Sequence, residues 1–512
     1  MYLAFTKGPN KVFWWVVVTS ILASIASFAY YYSQGRTIDY VDSMSHLLIA
    51  KRVIDGNPSG MGQIGHLWLP LPHLLIVLLV KNGFLYRTGI AGSILSMVCF
   101  VVTAVYVYKT ALRLQVKRDV WAAVIAVVVI ITNFNMLYMQ STPMTELPLF
   151  VFLAAGAYYL VRWSQMPVRS SSEPFALFLL GFSVACAALT RYEGWAYAIT
   201  VAIAIVYIGF RKGLKGKEIQ DRVVYYGFCP GAIILLWIGW NALIFHNPFY
   251  FIMSDYAKSS NWVQSDDKVI GNMMVSFQTY GLATLHNLSV PVAFLSLTGF
   301  VYFLVRSRLR PEMAGVLVLM FPFPFFLVML YYGARPLDVE EVSGIVINAR
   351  FGLIMILPAA LMVGYFVQNS KWRKVLVLPV IAWGVVSFFP NDIITLEEPI
   401  GYTSSPGTRL QRDAATWLNA NYVDGQPMLM EAYRNETAHF YSVSPSNVIY
   451  EGSQDLWENA IKNPASYVDW VYTQCGGEAK DVVCKKLVGT SQLDSFDLVY
   501  QNPEVMIFRK KE

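Results

Sequence analysis

Residues 11–55 read KVFWWVVVTSILASIASFAYYYSQGRTIDYVDSMSHLLIAKRVID. The first half, from about Val12 to Tyr32, is an uncharged apolar run of the roughly 20 residues that a helix needs to cross a bilayer. No small-residue cleavage site follows soon after it, so it reads as a retained helix rather than a signal peptide. The second half is different. Asp39 and Asp42 follow the run closely, and Met44, Leu47, Leu48, Val53 and Ile54 then fall at helical spacing. That pattern predicts an amphipathic helix lying on the outer surface, with Asp42 and His46 on one face.

The rest of the chain repeats the first half of this pattern. Hydrophobic residues make up 56% of the 512 and charged residues only 14%, where a soluble domain carries about a quarter. Mean hydropathy is +0.46. These values exclude a string of soluble domains, a disordered chain and a coiled coil, and 5 cysteines are too few for a disulfide scaffold. The net charge of +6 is not a nucleic-acid footprint, because its position matters more than its sum. Further spans are expected near 89–108, 119–134, 146–162, 174–190, 194–210, 223–245, 289–305, 313–333, 349–367 and 374–390, for about eleven transmembrane helices. The expected fold class is a polytopic α-helical membrane protein.

Loop charges set the expected orientation. Lys109, Arg113, Lys117 and Arg118 share one loop, and Arg162 and Arg169 the next on that side. Arg211 to Arg222, then Arg306, Arg308 and Arg310, then Lys371, Arg373 and Lys374 follow on it. All fall on the side of the N-terminus, which the positive-inside rule makes cytoplasmic. The opposite loops carry Asp39, Asp42, Asp55, Asp255, Asp266, Asp267, Asp338, Glu340 and Glu341. Two domains are expected: a transmembrane domain over 1–390, with a first outer loop at about 33–88, and an extracytoplasmic α/β domain over 391–512. Within the first loop, Leu67 to Val80 is too short and too broken by Pro70 and Pro72 to span, and reads as re-entrant or interfacial. In the tail, TRLQRDAATWLNANYVDG reads as an amphipathic helix, and QPMLMEA, SNVIYEG, SYVDWVYT, FDLVYQN and VMIFRK as short strands. Cys475 and Cys484 share this tail and are placed to pair if it is exported.

Candidate chemistry collects at the outer ends of the spans. Asp39 and Asp42 are candidate bases, with helix capping as the plain alternative. Glu146, in QSTPMTELPLF, starts a span; the alternative there is a solvated helix N-terminus. Arg191 and Glu193 sit in ALTRYEGWAYA, either as a self-satisfied turn or as phosphate-binding chemistry, for which the planar guanidinium fork is suited. Arg335 and Arg350 bracket another outer loop with the same chemistry, and Arg87 is a further phosphate or head-group ligand. His46, His66 and His73 match no standard zinc spacing, though Asp39, Asp42, Glu146 and a histidine leave a divalent metal ion open.

Arranged in this order, the chain resembles the C-type (GT-C) superfamily of integral-membrane glycosyltransferases, in the branch of protein mannosyltransferases and lipid A aminoarabinose transferases. The resemblance rests on Asp42 with His46 after the first span, WLPLPHLL at 68–75, FLYRTGIAGS at 84–93, MTELPLF at 144–150 and LTRYEGW at 189–195. It covers about 1–390. It implies a polyprenyl-phosphate-linked sugar donor and transfer to a hydroxyl of a protein, lipid or glycan on the outer face, with inversion. The acidic position that matches is Asp42, with Asp39 second and Glu146 orienting; His46, His73, Arg87, Arg191, Glu193, Arg335 and Arg350 become substrate-binding candidates. The chain departs from the branch in two places: Ser43 follows Asp42 where an acidic pair is common, and His66, Leu67 and Trp68 stand where a lysine often precedes the proline-rich segment. The tryptophan-rich signature of oligosaccharide-transferring relatives is missing. A lipid or sugar transporter, or a non-catalytic assembly protein binding through 391–512, is the alternative. A transporter needs polar residues near the bilayer midplane and usually a repeat, and neither is visible.

Overall fold

The computed structural model describes residues 11–64, 67–115, 119–261, 263–264, 266–307, 310–389, 393–476 and 480–512. His66, Lys117, Arg118, Arg308 and the expected domain boundary at 390/391 lie outside the described residues. The chain forms two compact units. One comprises 1–35, 93–238 and 259–398; the other comprises 36–92, 239–258 and 399–512.

The first unit is helical and membrane-spanning in character. Across the chain, eight helices among the described residues are long and apolar enough to cross a bilayer, from Lys11–Ser33 to Ala349–Val367. Three other expected spans are helices, but short: Val120–Ile131 has 12 residues, while Glu173–Ala188 and Lys371–Val386 have 16 each. The expected loop at 246–288 contains a helix, Met273–Leu288. Its Gln278, Thr279, His286 and Asn287 dilute the apolar run that marks a span in sequence. The expected 313–333 span is one of the eight, Pro311–Tyr331, and its first half tightens into 3-10 turns ahead of Pro322–Tyr331, where Pro322 and Pro324 cannot donate to a helical ladder.

Burial ranks these helices. The window within Ala349–Val367 is 94% buried, whereas that within Lys11–Ser33 is 17% buried, so the former is central and the latter faces outward. Small residues let the central helix be approached closely, as is usual where lipid gives no hydrophobic push. A Cβ on Gly299 would lie 2.6 Å from the Met362 carbonyl oxygen, and one on Gly364 would lie 2.9 Å from the Ala126 Cβ. Asn287 secures the same unit by donating to the Ala283 and Ala349 carbonyls at 2.7 Å each.

The second unit is built on a five-stranded sheet in the order β2-β1-β3-β5-β4, with β1 Met428–Leu429, β2 Val448–Ile449, β3 Trp470–Gln474, β4 Phe496–Gln501 and β5 Val505–Lys510. All five expected strands are present. β1 pairs parallel with β2 and β3; β5 pairs antiparallel with β3 and β4. Strand alternation sends Met428, Val448, Trp470 and Tyr472 into one core with Ala414 and Leu418 of the helix Pro406–Asn421. Leu429, Ile449 and Val471 enter the other, with Trp457, Ile461 and Leu487. The expected tail helix begins at a Ser405 cap, whose hydroxyl accepts from the Thr408 N–H, with Pro406 in its first turn. Cys475 and Cys484 are bonded, with Cα atoms 5.5 Å apart.

The first-loop segment belongs to this second unit. Val41–Asp55 is a helix, as expected. It does not lie on a surface, however: every residue from Ser43 to Ala50 is buried, and so is Arg52. It packs against Leu71–Val80 and against the tail helix Glu436–Ser442. The Leu71–Val80 helix has 10 residues, about 15 Å of rise and half a bilayer, consistent with a segment that does not cross.

Candidate functional site

Five of the expected site residues, Glu146, Arg191, Glu193, Arg335 and Arg350, meet in the first unit. Glu146 is the first residue of the helix Glu146–Ser164, where the helix dipole favours a negative charge. It is 3% exposed, so the solvated-terminus reading fails. Its Oε1 accepts from Arg191 Nη1 at 3.0 Å and from Arg350 Nε at 3.1 Å. Arg191 also donates to Glu193 Oε1 at 2.9 Å and to the Thr145 hydroxyl at 3.0 Å. The local Arg–Glu pair foreseen for this turn is therefore real, but it is one edge of a larger cluster. Arg350 reaches Glu398 as well, a partner that sequence reading missed because it lies 48 positions away and just after the last expected span.

Phe351 lies against both guanidinium groups, 5.2 Å from that of Arg191 and 5.4 Å from that of Arg350. Arg335 stands 5.9 Å from the Tyr192 ring and attracts Glu193. Among the described residues it has no carboxylate within ion-pair distance. The cluster thus alternates three guanidinium groups with three carboxylates in a mostly buried setting. Buried arginine is tolerated only when paired in this way.

The other expected residues sit in the second unit. Asp42 lies in the first turn of Val41–Asp55 and is half-buried. Asp39 does not cap that helix. The cap position is Tyr40, with no side-chain cap bond, and Asp39 instead accepts from Arg36 Nη1 at 2.9 Å. His46 Nδ1 and His73 Nε2 lie 2.9 Å apart, with Trp68 edge-on to His46 at 4.6 Å. Arg87 donates to the Phe440 carbonyl at 2.6 Å, so it is tied to the tail helix. Among the described residues no three His, Cys, Asp or Glu side chains gather as metal ligands.

A cavity of about 60 Å³ opens in this unit beside the Val41–Asp55 helix. The tail supplies much of its wall through Ala432, Tyr433, Glu436, Tyr450 and Glu451. Ser45, one turn beyond Asp42, lines it and lies 3.4 Å from Glu436 Oε1. Burial first, then the negative charges of Asp42 and Glu451, push the Glu436 carboxyl up to about 8. Glu451, also pushed upward by burial, accepts from the Ala432 and Tyr433 N–H groups at 2.8 Å. Arg52 lies 4.1 Å from the Tyr450 ring and 3.1 Å from His439 Nδ1. No local motif announces these tail residues, since Ser45 and Glu436 are 391 positions apart.

The chain is a multi-pass membrane protein with the GT-C-like fold of the solved structures that it resembles. The family model "Dolichyl-phosphate-mannose-protein mannosyltransferase" matches residues 17–256, a range that holds Asp42, Glu146, Arg191 and Glu193. ArnT from Cupriavidus metallidurans, solved bound to undecaprenyl phosphate, is similar with a TM-score of 0.63 at 12% identity, covering 96% of this chain and 97% of that one. The Archaeoglobus fulgidus oligosaccharyltransferase in its apo form matches with a TM-score of 0.52 at 12% identity, over 90% of this chain and 69% of that one. The archaeal oligosaccharyltransferase AglB from the same organism, in complex with an inhibitory peptide and a dolichol-phosphate, matches with a TM-score of 0.50 at 12% identity and the same coverage. No curated protein matches the chain in sequence.

Proposed function

We propose that the chain is a glycosyltransferase that moves a sugar from a polyprenyl-phosphate-linked donor to a hydroxyl acceptor, with Asp42 as general base. The observation that carries this reading is the match to the mannosyltransferase family model across 17–256 on a chain that has the GT-C fold. In the proposed step the acceptor oxygen attacks the anomeric carbon from the face opposite the phosphate. The new C–O bond forms as the bond to phosphate breaks, which inverts that carbon. The acceptor proton passes to the Asp42 carboxylate, and the polyprenyl phosphate departs with one more negative charge. General-base assistance of this kind contributes about 10²–10⁴ in rate.

The departing phosphate needs fixed positive charge. Arg335 is the first choice for that contact, because Arg191 and Arg350 already hold carboxylates; those two would strengthen the local field and orient the phosphate. Glu146 and Glu193 are then positioning residues that hold the guanidinium groups. The orientation that fits a lipid-linked donor used outside the cell has a cytoplasmic N-terminus and an extracytoplasmic tail domain, in line with the side on which the basic loops fall.

The test is transfer from a radiolabelled polyprenyl-phosphate sugar by purified Asp42→Asn protein. A loss of at least 100-fold with unchanged thermal melting is expected. Undiminished transfer would remove Asp42 from the base role, and flux of the labelled lipid across vesicles without any transfer would favour a transporter.

A further inference from the structure

We infer that the cavity beside the Val41–Asp55 helix is an acceptor subsite that receives the hydroxylated edge of a neutral sugar. This deepens, and rests on, the glycosyltransferase reading.

The lining has the chemistry of a sugar rather than of a lipid or an ion. A pyranose presents apolar C–H faces and a rim of hydroxyl groups, each both donor and acceptor. The cavity answers with aromatic surface from Trp68, Tyr433 and Tyr450, and with hydrogen-bonding side chains from Ser45, Gln63 and Glu436. Such a mix of aromatic wall and a few convergent polar groups marks a small-molecule site. Several of these side chains are already held in place. Tyr450 Oη donates to Gln63 Oε1, and Ser45 Oγ donates to Glu436. Glu451 is locked by two backbone N–H groups. Holding the polar groups before the ligand arrives lowers the ordering cost of binding.

Charge excludes the competing occupants. A phosphate or carboxylate would meet the negative charge of Asp42, which acts on the lining residues Glu436 and Tyr433. The one cation in the lining, Arg52, is spread over the Tyr450 ring and turned to His439. A Glu436 carboxyl pushed up to about 8 holds its proton at neutral pH, so it offers a donor and an acceptor without attracting a cation. An acyl chain would meet too many polar groups to be accommodated.

A volume of about 60 Å³ admits a few water molecules, or one edge of a sugar with the ring partly outside. Ser45 lines the cavity three residues after Asp42, a rise of about 4.5 Å along the helix. Asp42 does not itself line the cavity, but its charge acts on Glu436 and Tyr433, which do, so a sugar edge seated there lies beside the proposed base. The tail unit is then part of acceptor recognition.

The experiment uses the full chain in nanodiscs and saturation-transfer NMR with methyl α-mannoside, methyl β-glucoside and glycerol 3-phosphate as probes, without any transfer reaction. Saturation of at least one glycoside is expected. Trp68→Ala and Glu436→Leu should weaken its binding at least tenfold, while Glu436→Gln, which keeps a neutral donor and acceptor, should stay within about threefold. The glycoside should remain bound when polyprenyl-phosphate mannose is added. Displacement by that donor would assign the pocket to the donor sugar and overturn the acceptor assignment. No glycoside saturation, stronger binding of glycerol 3-phosphate, or full binding by folded Trp68→Ala protein would overturn the subsite itself. Because binding is read without catalysis, a chain that binds the glycosides but transfers nothing would sink the transferase reading and leave the pocket standing.

Discussion

Replacing Glu146 with leucine removes the carboxylate that two buried arginines share. Its Oε1 accepts from Arg191 at 3.0 Å and from Arg350 at 3.1 Å, and the side chain is 3% exposed. A hydrogen bond to a charged group contributes about 1.5–3 kcal/mol. Breaking a buried pair outright costs about 3–5 kcal/mol. Here neither arginine is orphaned, since Arg191 keeps Glu193 and Arg350 keeps Glu398. The lower end applies, and the loss should be about 3 kcal/mol. For a chain of 512 residues that lowers the melting temperature by about 3 °C. Glu146→Gln retains an acceptor and should lose about half as much. The assay is intrinsic-fluorescence melting of the purified chain in detergent. The two residues should also be coupled: in an Arg350→Met background the same Glu146→Leu change should cost distinctly less. Melting within 1 °C of the parent, or an equal loss in both backgrounds, would refute the shared-carboxylate account.

Further outcomes follow from other parts of the molecule. Glu436 and Glu431 are both pushed up to about 8 by burial and neighbouring acids, so between about 4.5 and 8 the folded chain holds protons that the unfolded chain releases. Stability should therefore fall as pH rises through that window, by up to about 1.4 kcal/mol per pH unit for each group and less for the partly exposed Glu436; melting curves from pH 5.5 to 8.5 should show this slope, and a slope unchanged in the Glu436→Gln, Glu431→Gln double variant would contradict it. The Cys475–Cys484 bond closes a loop with a sequence separation of 9, so Cys475→Ser with Cys484→Ser should destabilise the tail domain by about 2–3 kcal/mol, read as faster limited proteolysis within 399–512. A Cβ at position 352 would lie 2.5 Å from the Ala283 carbonyl oxygen, so Gly352→Ala should cost about 1–3 kcal/mol by overpacking; a melting temperature at or above the parent's would show that the contact yields freely.

Much of the fold was legible because its signals are local. Length and hydropathy mark helices such as Lys11–Ser33 and Val290–Ser307 without reference to neighbours, and short runs of strand-forming residues mark all five tail strands. Errors arose where the environment overrides the local signal. Met273–Leu288 carries polar residues at positions that only packing reveals as interior, such as Thr279 and Asn287, both 0% exposed. Val41–Asp55 looked like a surface helix because its apolar residues form a stripe. Its Ser43, Ser45 and His46 are buried as well, because Leu71–Val80 and the tail helix Glu436–Ser442 pack against it.

The candidate site divides in the same way. The amino-acid sequence by itself determined that the chain is a polytopic membrane protein with a small α/β tail, and that acids and arginines gather at the span ends, because bilayer insertion and charge exclusion act on short contiguous windows. Only the tertiary structure decided that Glu146 is buried between Arg191 and Arg350, that Glu398 completes that cluster, and that Glu436 and Tyr450 form a cavity with Ser45. Those pairings join positions tens to hundreds of residues apart, and a Coulomb or hydrogen-bond partner depends on distance in space, on which separation along the chain carries no information.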